Sequence, residues 1–132
     1  MLKNKKILIV GASRGIGEAI ALGCAVEGAN LVLTGRNAET GSAAVEKVRA
    51  AGGRASFIEW DVSDVEQAPA VMQRACEMMG GLNVVINNAG VIGREPFLQI
   101  TEQDFDRIFS VNVKGAFFCM QAAANFFLEH GE

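Results

Sequence analysis

Ile7-Leu8-Ile9-Val10-Gly11-Ala12-Ser13-Arg14-Gly15-Ile16-Gly17 is the stretch on which the fold turns. Its first four residues are an unbroken apolar run closed by glycine, the pattern of a strand buried on both faces of a parallel sheet. From Gly15 the apolar positions change to helical spacing, with Ile16, Ala19, Ile20, Gly23 and Cys24 sharing one side and Gly28 ending the run. Strand therefore passes into helix within one tight turn, and Gly11, Gly15 and Gly17 are spaced G-x-x-x-G-x-G across it. Gly11 can take the turn conformation, Gly15 lets a pyrophosphate approach the backbone, and Gly17 lets the helix pack closely on the sheet. Unpaired N–H groups at the helix start, from about Ser13 to Ile16, then point at an anion. The same glycines would also serve a strand-helix turn that holds nothing.

Working outward, Leu31-Val32-Leu33 reads as a second strand, and Asn37 caps a helix with the stripe Gly41, Ala44, Val45, Val48 and Ala51, stopped by Gly52-Gly53. Ala55 to Trp60 reads as a third strand. Ser63 and Glu66 have the spacing of a capping box for a helix with Val65, Ala68, Met72, Ala75, Cys76 and Met79 inward. Pro69 lies beyond the first turn of such a helix, so the helix either kinks or begins later. Val84-Val85-Ile86 reads as a fourth strand, a loop runs from Gly90 to Pro96, and one long helix starts near Thr101 with Phe105, Ile108 and Phe109. Three strand-helix repeats followed by strand-loop-helix imply an α/β fold, a Rossmann-type doubly wound open parallel sheet in the order 3-2-1-4. Residues 1–132 form one domain on this reading.

Composition bounds the function. The chain has 132 residues, half of them apolar, which is enough for one domain with a sizeable core. A net charge of -3 with scattered Lys and Arg offers no basic field for nucleic acid. Lys3, Lys5 and Lys6 precede an apolar run too short for a signal peptide, and nothing approaches a membrane span. Cys24, Cys76 and Cys119 are odd in number and far apart, without C-x-x-C spacing, so they read as reduced core thiols in the cytoplasm, and no metal site is expected. Acid-base chemistry has few candidates, because the chain contains no tyrosine and one histidine, His130.

In dinucleotide-binding folds an acidic residue about twenty positions after the glycine turn takes the ribose hydroxyls when the cofactor is NAD. Here the second strand ends in Thr34-Gly35-Arg36-Asn37, with a guanidinium where the carboxylate would stand. Arg36, joined by Arg14 inside the turn, suits the 2′-phosphate of NADP(H) through charge-assisted hydrogen bonds. The competing reading makes both arginines ordinary solvated charges. A flavin or another nucleotide is disfavoured because it leaves the two arginines without a role.

Taken together, Val10-Gly11-Ala12-Ser13-Arg14-Gly15-Ile16-Gly17, Asp61-Val62, Asn87-Asn88-Ala89-Gly90 and Val111-Asn112-Val113-Lys114-Gly115 resemble, in order, the motifs of the short-chain dehydrogenase/reductase family, closest to its 3-oxoacyl carrier-protein reductase type. The resemblance implies that Asp61 accepts from the adenine amino group beside the Val62 backbone. It implies that Asn88, Ala89 and Gly90 line the adenosine ribose and that Asn87 ties neighbouring strand ends together. Asn112, expected on the inward stripe of the long helix with Phe105, Phe109 and Ala116, would support a proton relay to a catalytic lysine; a satisfied core amide is the alternative. A surface aspartate and an Asn-rich turn are the corresponding plain readings of the other motifs. The chain departs from the family in having Val10 where Thr is common, in Pro69, and in lacking the catalytic Ser and Tyr-x-x-x-Lys, which in the family follow beyond this point.

Two functions are therefore expected to compete: the cofactor-binding part of an NADP(H)-dependent carbonyl oxidoreductase, inactive alone, or a truncated non-catalytic nucleotide-binding or assembly module. With nothing following the long helix, the fourth strand (84–86) becomes an apolar sheet edge. The helix over 101–130 presents Phe109, Val113, Phe117, Phe118, Met120, Phe126 and Phe127 around more of its circumference than one sheet face covers. In the resembling family this helix meets a neighbouring subunit, so a homo-oligomer is expected through that helix or through the open edge.

Overall fold

The structure, a computed structural model, describes residues 1–131. Four strands, β1 (Lys6–Val10), β2 (Asn30–Gly35), β3 (Arg54–Glu59) and β4 (Val84–Asn87), form an all-parallel sheet in the order β3-β2-β1-β4. β1 pairs on both sides, with Leu8 opposite Val32 and Val85, and its Ile7 to Val10 are at most 1% exposed. The helices are α1 (Gly15–Val26), α2 (Ala38–Ala50), α3 (Ala68–Met79), α4 (Glu102–Phe109) and α5 (Ala116–His130). Successive β1 residues feed two cores. Ile7 and Ile9 pack with Ala21, Cys24, Val45 and Val48 of α1 and α2, whereas Leu8 and Val10 pack with Met72, Ala75, Cys119 and Phe126 of α3 and α5. This is the helix-sheet-helix sandwich that a continuous apolar strand demands, each fully buried Ile or Leu contributing roughly 1.5–3 kcal/mol.

Local signals explain some of the helix ends. Asn37 Oδ1 accepts from Glu39 N at 2.9 Å and Thr40 N at 3.1 Å, the cap expected for α2. The inward face of α2 is Gly41, Ala44, Val45 and Val48; Ala51 falls outside it, exposed at the C-cap. In α1 the buried residues are Gly17, Ala21, Cys24 and Ala25, rotated from the expected stripe, and Ile16 is 72% exposed. Glu18 is the helix's single charged residue, so no polar face marked the phase.

Two elements differ from the sequence reading. The Ser63/Glu66 capping box does not form: a 3₁₀ turn, Val65–Gln67, comes first, and α3 starts at Ala68 with Pro69 in its opening turn, where a missing N–H is harmless. The long helix is not uniform either. Thr101 opens α4 with a capping box, but a π-helical segment, Ser110–Gly115, separates α4 from α5. The wider turn resets the helical phase. The buried line becomes Val111, Gly115, Cys119, Ala122, Ala123 and Phe126, while Phe105 and Phe109, stacked at 4.4 Å, are 51% and 47% exposed. Asn112 consequently stands off the inward stripe on which it was expected.

Among the described residues no helix is long and apolar enough to cross a membrane. The three cysteines are free; Cys24 and Cys119 are buried, and burial pushes the Cys119 thiol up to about 11. Cys76 is half-buried.

Candidate functional site

The β1-α1 turn is held from both neighbouring strands. On the β2 side, Ala12 N donates to Thr34 O at 2.9 Å, and Gly11 N donates to Thr34 O at 3.2 Å and to Thr34 Oγ1 at 3.4 Å. Thr34 is 1% exposed, so a buried hydroxyl from β2 braces the turn although position 10 carries none. On the β4 side, Asn88 N donates to Val10 O at 2.9 Å and Asn88 Nδ2 to Gly11 O at 3.0 Å. The tie between strand ends expected of Asn87 is thus made by Asn88. Asn87 Oδ1 is buried with no hydrogen-bond partner among the described residues.

Glycine is required here for two reasons. Gly11 has φ +78° and a Cβ on it would lie 2.6 Å from Ala89 Cα, while a Cβ on Gly17 would overlap Gly11 O and approach Asn88 Nδ2 to 2.8 Å. Gly15, at φ +61°, is different: a Cβ there would meet nothing within 4 Å. Its backbone is bare toward solvent. Arg14 occupies the N-cap position of α1 without any side-chain capping bond, so the first amides of the helix are not taken by a cap.

Above the turn lies a crevice of about 270 Å³ at the carboxyl ends of the strands. The structure brings Gly11, Ser13, Arg14, Gly15, Arg36, Asp61, Val62, Asn88, Ala89 and Gly90 together on its walls. Ile16, exposed on α1, and Gly17, buried beneath the turn, do not line it. Val10, Thr34, Gly35, Trp60, Val91 and Val111 complete the lining and were not among the residues expected from the sequence to hold the cofactor. Thr34 and Trp60 read there only as strand residues; Thr34 is placed by the pairing of β2, and Trp60, just past β3, by its N–H bond to Gly35 O. Gly35 keeps the floor open, since a Cβ on it would press on Ser13 Oγ at 3.0 Å. Two guanidiniums, Arg14 and Arg36, and one carboxylate, Asp61, are the charged groups of the lining.

The far wall depends on the π-helical segment. Gly115 packs so closely that a Cβ there would lie 2.8 Å from Val62 O, which seats Val111 against the crevice. Asn112 does not line the cavity. Its Nδ2 donates to Val91 O at 2.7 Å and its Oδ1 accepts from Val91 N at 2.8 Å, a reciprocal pair that anchors the loop leaving Gly90. Both ends of the amide are thereby engaged on one backbone unit.

A dinucleotide fits this arrangement physically: uncapped helix amides and a bare Gly15 for the diphosphate, two cations on the wall, and a carboxylate at the mouth of the next strand. A family model described as short chain dehydrogenase matches residues 5–132. A 3-oxoacyl-[acyl-carrier-protein] reductase from Staphylococcus aureus is 36% identical over 124 residues, 93% of this chain and 50% of the reductase. A short-chain type dehydrogenase/reductase from Mycobacterium marinum superposes with TM-score 0.92 at 32% identity, covering 98% of this chain and 53% of that one. A short chain dehydrogenase from Burkholderia cenocepacia, solved in complex with NADP, gives TM-score 0.86 at 37% identity over 94% of this chain and 51% of that one. The chain spans about half the length of the curated relatives it matches.

Proposed function

The chain belongs to the short chain dehydrogenase family, and from that premise we propose that its crevice holds NADP(H) as the cofactor-binding portion of an oxidoreductase acting on a carbonyl or alcohol. The observation that carries the reading is the turn: bare backbone at Gly15 beside uncapped amides at the start of α1, flanked by two arginines. On this reading the α1 amides and Ser13 hold the diphosphate, and Arg14 and Arg36 hold the 2′-phosphate. Asp61 accepts from the adenine amino group beside Val62, and the ribose lies against Asn88, Ala89 and Gly90. NADP(H), when bound, supplies or accepts the hydride. Asn112 acts as a positioning residue: by clamping Val91 it sets the course of the loop beyond Gly90.

The chain has no tyrosine, so it contains no phenol to protonate a carbonyl oxygen, and we propose that the 132 residues bind cofactor without turning it over. We further infer that the apolar row on α4 and α5 is a self-association surface, and that the protein is cytoplasmic, a reading supported by three widely spaced cysteines without C-x-x-C spacing. Titration of the chain with NADPH, followed through Trp60, its sole tryptophan and part of the crevice wall, tests the central reading. Saturable quenching is expected; a flat response up to millimolar NADPH from folded protein would overturn it.

A further inference from the structure

The two carboxylate oxygens of Asp61 are not equivalent. Ser63 donates twice to Oδ1, from its backbone N at 3.0 Å and from Oγ at 2.7 Å, while Oδ2 takes no hydrogen bond among the described residues. The turn carrying both residues is held from two further directions. Asp64 N donates to Asp61 O at 2.9 Å, and the indole Nε1 of the buried Trp60 donates to Asp64 O at 3.1 Å. Trp60 N is itself bonded to Gly35 O at 2.9 Å, so the turn is registered to β2.

An aspartate on an exposed loop ordinarily turns freely about its last torsion, which is broad and two-fold. Here two donors converge on a single oxygen, and a hydroxyl-to-carboxylate bond of 2.7 Å is among the stronger kinds. Rotation is arrested with one oxygen turned into the protein and the other left available. Asp61 also lines the crevice, whereas Ser63 does not.

We infer that Ser63 is a positioning residue that gives the nucleotide subsite its base selectivity. By holding Oδ1 it presents Oδ2 as a fixed acceptor, complementary to the 6-amino group of adenine and repulsive toward the 6-oxo group of hypoxanthine. A fixed carboxylate cannot turn aside to meet the N1–H that hypoxanthine offers instead; a released one can. Discrimination thus depends on immobility as much as on charge, since rejection needs an unfavourable contact that cannot relax. The inference rests on the nucleotide reading given above and adds to it the residue on which selectivity depends.

The test is a set of Trp60 fluorescence titrations of the full chain with NADPH and with its hypoxanthine counterpart. The unmodified chain is expected to prefer NADPH. Ser63→Ala should shrink that preference roughly three- to tenfold, the net scale of one ordinary hydrogen bond, and Ser63→Thr, which keeps the hydroxyl, should restore it. The ratio of NADPH to NADH affinity, set elsewhere by Arg14 and Arg36, should stay constant across all three proteins. If Ser63→Ala retains the full preference while Asp61→Ala loses it, Ser63 has no part in selectivity and the inference falls with the nucleotide reading intact. Equal weakening of both dinucleotides by Ser63→Ala, with a lowered melting temperature, would assign the residue to folding alone and also overturn it. If Asp61→Ala leaves the preference unchanged, or the unmodified chain binds neither dinucleotide, the nucleotide reading itself fails.

Discussion

Arg36 stands at the end of β2, one residue beyond the glycine that keeps Ser13 uncovered, and shares the crevice wall with Arg14. Replacing its guanidinium by a carboxylate reverses the charge that, on the proposed reading, faces a 2′-phosphate, while leaving the turn at Gly15 untouched. Arg36→Asp should weaken NADP(H) binding roughly ten- to a hundredfold and NAD(H) binding little; parallel titration curves for the two cofactors would count against the assignment. The glycines divide differently. Gly17→Ala forces a methyl group onto Gly11 O, backbone that has nowhere to move, and should destabilise the chain by about 3 kcal/mol or more in thermal or urea denaturation. Gly15→Ala meets only a left-handed backbone penalty of roughly 1–2 kcal/mol, because the space beside it is open. It should stay folded and lose cofactor binding, so equal losses of stability in the two variants would contradict the division of roles.

At the level of elements, α4 offers a charge-dependent start. Thr101 Oγ1 accepts from Asp104 N at 3.1 Å, and Asp104 Oδ2 accepts from the Thr101 hydroxyl at 2.9 Å and from Thr101 N at 3.2 Å. The hydroxyl bond first, then the backbone bond, hold the Asp104 carboxyl below its ordinary value of 3.8. A carboxyl depressed in the folded state stabilises above the unfolded value and ceases to do so as pH falls through the folded one. Thr101→Ala should therefore melt earlier than the parent at neutral pH, with the gap narrowing below pH 3.8 to the part owed to the lost Asp104 N–H bond to Oγ1, as read by circular dichroism. A gap that persists unchanged into acid would show that the carboxylate has no part in the cap. The neighbouring π-helical segment has no comparable local signature. Ser110 to Gly115 reads from its residues as ordinary helix, and its shape follows from two distant fits, Asn112 on Val91 and Gly115 on Val62.

For the molecule as a whole, β4 is the sheet edge beside β1, and all four of its residues are only half-buried although three are Val or Ile. On the opposite side of the α4-α5 unit, Phe109, Val113, Phe117 and Met120 are 47%, 54%, 60% and 48% exposed. Surfaces of this kind associate. The chain should sediment as a concentration-dependent oligomer, and Val113→Lys with Phe117→Lys should lower its mass without changing NADPH affinity; a monomer at every concentration would refute the surface assigned to self-association. The same chain, lacking any tyrosine, should leave NADPH unoxidised with every ketone offered. Measurable NADPH loss dependent on the ketone would refute that.

The sequence by itself determined the strands, their order, the glycine turn, the cap of α2 and the positions of most charged groups around the crevice. Those features are written in contiguous apolar runs, glycine spacing and side chains that bond within a few residues of themselves. Tertiary structure decided the phase of α1, the late start of α3, the π-helical break and that Asn88, not Asn87, ties the strand ends. It also decided the bracing by Thr34. These depend on partners far away in the chain: Asn88 Nδ2 reaches Gly11 across 77 positions and Gly11 N reaches Thr34 across 23. In a helix apolar on nearly every side, or at an amide whose neighbours come from other strands, local pattern carries no preference, and only the packed sheet selects one.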